Sequence, residues 1–278
     1  MTRSVLAVCV GLAIVSAASG VSSPQPAAPR GIHDSFDEIL DLYVRDGLVY
    51  YAALRKERGK LDRYVANLGQ AAGLEAGRGS KAHELAFWIN AYNAFVLQTV
   101  IDHYPIRGKF DQYPPDSLRQ VPGAFERLAH KAGGRTVTLD AIEKTILPAY
   151  QDPRVYLALG RGAVGSGRLL SEAYRGERLE DQLQLVRGEM VQRREVFRID
   201  TLTREIAVTP IVGWHEAEFV SAYGSNEARL ESRSPIERAI LAFVGPHLMP
   251  NERDFIAENQ FSVKYLDLDW HLNDLTGR

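Results

Sequence analysis

The sequence predicts a single α+β domain in which a helical N-terminal half packs on a small, mainly antiparallel sheet. Apolar residues at helical spacing dominate up to His103, whereas short strand-like segments separated by turns dominate after Pro105. Helices and hairpins therefore come in runs rather than in strict alternation, which is typical of α+β folds. A chain of 278 residues is also long enough to bury a large core without disulfides.

Three helices are expected in the first half. Residues 36–44 and 61–68 repeat apolar side chains at helical spacing, and a Gly-rich break follows over residues 69–79. The third helix is predicted from near Ser80 to about His103. Because residues 85–97 are apolar on nearly every side, this helix should be enclosed by the rest of the domain.

The second half is predicted to alternate short strands, hairpins and helices. Strands or hairpins are expected over residues 126–138, 155–159, 196–209 and 261–268. Helices are expected over residues 139–147, 179–190 and 234–247. The last helix has the clearest start, because Ser234-Pro235-Ile236-Glu237 combines a capping box with proline at the first helical position.

The first thirty residues differ in composition from the rest. Arg3 precedes an apolar run over residues 5–15 and then small residues, which is the pattern of a secretory signal peptide. We expect a signal peptide over residues 1–20, a flexible tether over 21–31 and one folded domain over 32–278. A retained anchor is a less favoured alternative, since the run is shorter than the roughly 20 residues of a membrane span. Lipidation at Cys9 is also less favoured, because Val8 is bulkier than the small residue that normally precedes a lipidated cysteine. A periplasmic or secreted location follows from the signal peptide.

Composition excludes several functions. Lys and Arg number 33 against 35 Asp and Glu, and the basic residues are scattered, so nucleic acid is not an expected partner. Cys9 is the only cysteine, and the processed chain would have none. Disulfides, thiolate metal sites and cysteine nucleophiles are then excluded.

Six segments, in order along the chain, resemble the bacterial family catalogued as domain of unknown function 547. The most specific is the helix LAFWINAYNA at residues 85–94, and the resemblance covers nearly all of the processed chain. The others are residues 47–51, 138–143, 152–154, 209–211 with Trp214 and Phe219, and 269–273. The family has no settled activity, so the resemblance implies no substrate.

This chain departs from the family at its most reactive positions. Where the family commonly carries a histidine and a pair of cysteines, this sequence has Tyr156, Arg161 and Ser166. Tyr50 also replaces the aspartate of the family's Val-Asp-Tyr segment. The resemblance therefore implies a scaffold that is kept and a site that is altered or abandoned.

The leading hypothesis is a non-catalytic binding or scaffold domain of the cell envelope, with an envelope protein or a small anionic ligand as partner. The candidate binding residues are Arg161, Arg168, Tyr156, Asn90 and Asn93, with Arg154 and Arg119 as further cationic candidates. Structural hydrogen bonding is the alternative for both asparagines, which lie in an apolar helix. A purely structural envelope protein is a third possibility.

The rival hypothesis is a hydrolase or transferase with Ser166 as nucleophile and His215, or else His271 or His130, as base. No cofactor and no metal site are expected. The glycines at 160, 162 and 165 spell a dinucleotide-binding fingerprint, but a βαβ unit is not predicted around them, so a flexible, solvated loop is favoured.

Overall fold

The computed structural model describes residues 31–71, 80–224 and 230–276. The predicted signal peptide, and the tether up to residue 30, lie outside the described residues. Among the described residues, no helix is both long and apolar enough to cross a membrane.

The described helices and strands confirm an α+β fold. The helices are α1 (Asp34–Tyr43), α2 (Tyr51–Lys56), α3 (Gly59–Gln70), α4 (Lys81–His103), α5 (Leu139–Ala141), α6 (Leu179–Gln192), α7 (Pro210–Trp214), α8 (Glu216–Tyr223), α9 (Pro235–Val244) and α10 (Pro250–Ala257). The strands are β1 (Val44–Arg45), β2 (Leu48–Val49), β3 (His130–Ala132), β4 (Arg135–Val137), β5 (Phe197–Asp200), β6 (Glu205–Val208) and β7 (Ser262–Tyr265).

Helix α4 is the centre of the domain, as its apolar surface predicts. Every residue from Leu85 to Leu97 is buried, and α2, α3, α6 and the turns around α5 pack against the helix. A helix with no polar face can be stable only when it is covered on all sides. The enclosed third helix is therefore confirmed.

The strands form three small sheets rather than one. The pairs β1–β2 and β3–β4 are antiparallel hairpins. The third sheet has the order β5-β6-β7, in which β5 and β6 are antiparallel and β6 and β7 are parallel. The predicted hairpins and the last strand are confirmed, and most of the pairing is antiparallel.

The buried strand predicted over residues 155–159 is wrong, because Pro153–Leu157 forms a 3-10 helix. The Asp152 side chain caps this turn by accepting a hydrogen bond from the Arg154 backbone N–H, and Pro153 occupies its first position. A short apolar run signals burial but does not distinguish a strand from a helical turn. The capping aspartate and the proline at the first position are the local signals that favour a helical turn.

The C-terminal segment runs back across the domain after β7. Its backbone accepts hydrogen bonds from Val49, Val164 and Gly165, and the Tyr51 hydroxyl donates to Asn273 Oδ1 at 2.7 Å. These bonds join the N-terminal helices to residues 160–167, which we call the glycine loop. They also place Trp270 beside the cavity described next.

Candidate functional site

A cavity of about 530 Å³ lies where α5, α7, α8 and the C-terminal segment meet. Its inner wall is formed by Glu143, Arg161 and His215, and its outer walls carry aromatic and charged side chains. Three separate parts of the sequence therefore form the inner wall, and only the tertiary fold brings them together.

The inner wall is a buried network centred on the Glu143 carboxylate. Arg161 donates to Glu143 Oε1 from its Nη2 at 2.5 Å, and His215 Nε2 lies 3.0 Å from the same oxygen. The Tyr92 hydroxyl donates to the other oxygen at 3.2 Å. Arg161 is only 1% exposed, and its Nη1 also donates to the backbone carbonyls of Tyr156 and Leu159. A buried charge is tolerated only when it is paired in this way.

The network keeps Glu143 ionised. Burial by itself would raise the pKa of this carboxyl, but the charge of Arg161 and the hydrogen bonds from His215 and Arg161 outweigh it and hold the pKa well below its usual range. In turn Glu143 raises the pKa of Arg161 despite burial. The two charges compensate each other, so the inner wall presents no net charge from this pair.

Tyr156 lies behind the histidine. Its ring stacks on His215 with centroids 3.4 Å apart and planes at 5°, and its hydroxyl donates to Glu218 Oε1 at 3.2 Å. Burial, with a smaller contribution from Glu218, raises the pKa of the Tyr156 phenol, so it stays protonated. Tyr156 therefore orients His215 and Glu218 and does not itself line the cavity.

Aromatic side chains form one outer wall. Trp214 and Trp270 lie with centroids 6.4 Å apart and planes at 19°, and Tyr113 and Phe125 meet Trp270 edge-on. The guanidinium of Arg119 lies 4.2 Å from the centre of the Phe125 ring and 4.8 Å from that of Trp270. This cation fixes the aromatic cluster from one side. Trp214 is nevertheless 49% exposed.

Ion pairs form the rim. Lys144 Nζ lies 2.6 Å from Asp140 Oδ2, and Arg119 Nη1 lies 2.5 Å from Glu126 Oε1. The residues that line the cavity include three cations of Lys and Arg type and three carboxylates. The cavity is thus polar without a dominant sign of charge.

The structure brings together only part of the predicted binding set. Arg161 lies in the inner wall, and Tyr156 lies directly behind it. Arg168 instead pairs with Glu189 and Asp46, outside this cavity. Arg119 lines the cavity, whereas Arg154 is held by Asp152 and Glu180 away from it.

Both asparagines of α4 bind backbone groups. Asn90 accepts a hydrogen bond from Tyr174 N at 2.9 Å and donates to Tyr174 O at 2.8 Å. Asn93 accepts from Gly160 N at 2.9 Å and donates to Ala158 O at 3.1 Å. Each amide thus anchors a neighbouring loop to the central helix, and neither lines the cavity.

The two candidate catalytic residues occupy separate places. Ser166 is 1% exposed, and its hydroxyl donates to the backbone oxygens of Ala163 and Gly167. Within the part of the chain that the structure describes, no histidine is hydrogen-bonded to it. His215 faces Glu143 in the cavity wall instead. The expected solvated loop around Ser166 is wrong, since most of residues 160–167 are buried.

Several cavity residues were not among the sequence candidates, and Glu143, Trp214 and Trp270 are the most informative of them. Glu143 lies in the segment 138–143 that resembles the family, and that resemblance was the signal that could have found it. Trp214 and Trp270 also lie in family-like segments, but an aromatic side chain in a sequence indicates core packing more often than a wall. Over residues 31–71, 80–224 and 230–276 there is no group of His, Cys, Asp or Glu that could hold a metal ion.

Residues 78–189 match the family model described as "Protein of unknown function, DUF547". The match confirms the family resemblance over this part of the chain, which includes α4, Glu143 and the glycine loop. No curated protein and no solved structure matches the chain.

Proposed function

We propose that this chain, whose residues 78–189 belong to the DUF547 family, is an exported, non-catalytic binding domain of the cell envelope that holds a sugar in the central cavity. The export and the envelope location rest on the signal-peptide pattern of residues 1–20. Sequencing the N-terminus of the protein recovered from the extracytoplasmic fraction tests them, and an intact Met1 there would contradict the predicted cleavage.

The non-catalytic proposal rests on the residue that occupies position 161. The resemblance places a family cysteine there, and this chain has a buried arginine locked to Glu143. An arginine has no nucleophilic lone pair at neutral pH, because its guanidinium stays protonated. The Glu143 carboxylate is paired with Arg161, and His215 is hydrogen-bonded to that carboxylate, so the cavity is retained without a nucleophile.

The rim favours a hydroxyl-bearing ligand over an ion. Each hydroxyl donates one hydrogen bond and accepts others, so it can bind both members of a pair such as Lys144 and Asp140. A ligand carboxylate would accept only and would compete with Asp140 for Lys144. The anionic ligand predicted from the arginines is therefore less well supported than a neutral one.

The aromatic wall supports a sugar ring in particular. The axial C–H groups of a pyranose form a flat apolar face that packs on an indole, while its hydroxyls point outward to polar groups. Exposed Trp214 supplies such a surface, and the ion pairs at the rim supply the polar partners. A cavity of this size suits one or two sugar rings.

Calorimetry with the full chain tests the proposal, using N-acetylglucosamine, glucose, glucuronate and glucosamine as probes. We expect the neutral sugars to bind and Trp214→Ala to weaken their binding at least about tenfold, or about 1.4 kcal/mol. Leu185→Ala is the matched control, because Leu185 is also 49% exposed but lies on α6 outside the cavity. Binding of glucuronate alone would contradict the neutral ligand.

Ester, amide and glycoside probes test the absence of catalysis. The proposal expects no turnover by the wild-type chain. Turnover that disappears in Ser166→Ala would overturn it in favour of the hydrolase hypothesis. Turnover that disappears in His215→Gln but persists in Ser166→Ala would overturn both that hypothesis and the non-catalytic proposal.

A further inference from the structure

A second cavity continues the first along the segment that precedes Phe125. It has a volume of about 480 Å³, and Tyr113, Arg119 and Phe125 line both cavities. The two cavities therefore adjoin at these three side chains, and we call them together the groove. Trp214 lines only the first part, and Phe110 lines only the second.

A buried glutamine holds the segment that carries Phe110. The Gln120 side chain accepts a hydrogen bond from Phe110 N at 2.9 Å and donates to the carbonyls of Phe110 and Tyr113, both at 2.9 Å. The segment also packs closely on this amide, since a Cβ at Gly108 would lie 2.0 Å from Gln120 Oε1. The backbone around Phe110 is thus fixed before any ligand arrives.

The Phe110 ring is 53% exposed although its backbone is held in place. Fixing the backbone that carries an aromatic ring lowers the entropy cost of binding. Phe110 and Trp214 therefore provide two preformed apolar surfaces, one in each part of the groove. A single sugar in the central cavity would use only one of them.

The second part of the groove repeats the charge pattern of the first. Its charged residues are Asp111, Arg119, Glu126 and Arg127, which are two cations and two carboxylates. The hydroxyl groups of a ligand can therefore bind cations and carboxylates along the whole groove. None of the residues that line it belongs to a strand, so the groove offers no strand edge for pairing with an extended peptide.

Resting on the proposed function, we infer that the ligand is a linear, uncharged oligosaccharide rather than a single sugar. One unit packs on Trp214 and Trp270, and a later unit of the same chain packs on Phe110. The shared residues Tyr113, Arg119 and Phe125 lie between these two positions. The protein should therefore bind longer oligosaccharides more tightly than shorter ones.

The test measures dissociation constants of the full chain for β-1,4-linked glucose and N-acetylglucosamine oligomers of one to six units. We expect affinity to rise at least about tenfold from the monomer to the tetramer. Phe110→Ala should abolish this gain and leave monomer binding unchanged, whereas Trp214→Ala should weaken every length. Leu42→Ala is the control, since Leu42 is 52% exposed on α1 and lines neither cavity.

The outcomes separate the two proposals. Binding of monomers without any gain with length would overturn this inference and leave the proposed function intact. A gain that persists in Phe110→Ala would also overturn the inference. No binding at any length would overturn both. Far-ultraviolet circular dichroism of Phe110→Ala tests whether a loss of the affinity gain comes from unfolding.

Discussion

Arg161 and Glu143 depend on each other because each is a buried charge. Either ion alone would carry an uncompensated desolvation cost, which is why a buried pair is strongly destabilised when one partner is removed. Arg161 also donates to two backbone carbonyls, whereas Glu143 is also hydrogen-bonded to His215 and Tyr92. Removing the carboxylate charge therefore disturbs the whole inner wall of the cavity.

We expect Glu143→Gln to lower the free energy of unfolding at pH 7 by about 3 to 5 kcal/mol, because Arg161 is left without a counter-charge. Urea unfolding measures this loss. Asp140→Asn is the matched control, since Asp140 pairs with exposed Lys144 and such a pair contributes about 0 to 1 kcal/mol. Equal losses in the two variants would contradict the importance of the buried pair.

The loss of stability in Glu143→Gln should depend on pH. The pKa of Glu143 lies below its usual range in the folded protein, so its contribution to stability is complete above the pKa of the unfolded chain. The contribution is lost as the pH falls below about 4 to 5, toward the folded pKa. The difference between wild type and Glu143→Gln should accordingly shrink in acid.

The glycine loop is packed closely, although its composition predicted a flexible loop. Its glycines suggested flexibility, but two of them serve close packing instead. A Cβ at Gly167 would lie 1.9 Å from the carbonyl oxygen of Leu157, and one at Gly165 would lie 2.5 Å from Asp269 N. The Arg193 guanidinium also donates to the carbonyls of Ser166 and Val164. The loop is held by backbone contacts on several sides.

We expect Gly167→Ala to destabilise the fold by about 3 kcal/mol or more, because the clash is with backbone that cannot move aside cheaply. Gly59→Ala is the control. This glycine lies in α3, and its Cβ would meet only the end of the flexible Arg63 side chain at 3.5 Å, so alanine there should be neutral or slightly stabilising. Thermal unfolding followed by circular dichroism compares the two. Similar melting temperatures would contradict the packed loop.

Two buried histidines link the stability of the whole molecule to pH. His33 donates to or accepts from the Tyr64 hydroxyl at 2.8 Å at the start of α1, and His130 of β3 stacks on Phe95 of α4. Burial lowers the pKa of His33 to about 4, with Arg175 as the next cause, and burial also lowers the pKa of His130 to about 4. Both rings are therefore neutral in the folded protein at neutral pH.

We expect stability to fall as the pH drops from about 6.5 to about 4, because the unfolded chain binds protons at these histidines before the folded chain does. Each histidine contributes up to roughly 3 kcal/mol over this range. The double variant His33→Gln/His130→Gln should flatten the decline, measured by urea unfolding at several pH values. His271→Gln, at an exposed histidine, is the control. An unchanged slope in the double variant would contradict the assignment.

Local patterns determined much of this molecule. The enclosed helix α4, the hairpins β3–β4 and β5–β6, and the capped start of α9 were all predictable, because periodicity, turn glycines and caps act between residues close in sequence. The family resemblance likewise came from short segments in order. The run at residues 155–159 was ambiguous at this level, since burial alone does not decide between a strand and a turn.

Only the tertiary structure decided the site. The resemblance marked position 161 as altered, but whether Arg161 faces solvent or Glu143 depends on residues 18 and more positions away. His215 and Trp270 reach the cavity because α7 and the C-terminal segment return to α5, and Ser166 is removed from it by the same packing. Burial and charge pairing act between parts of the chain that are distant in sequence, and no local pattern relates these parts. The chemistry of the site residues therefore depends on the tertiary structure.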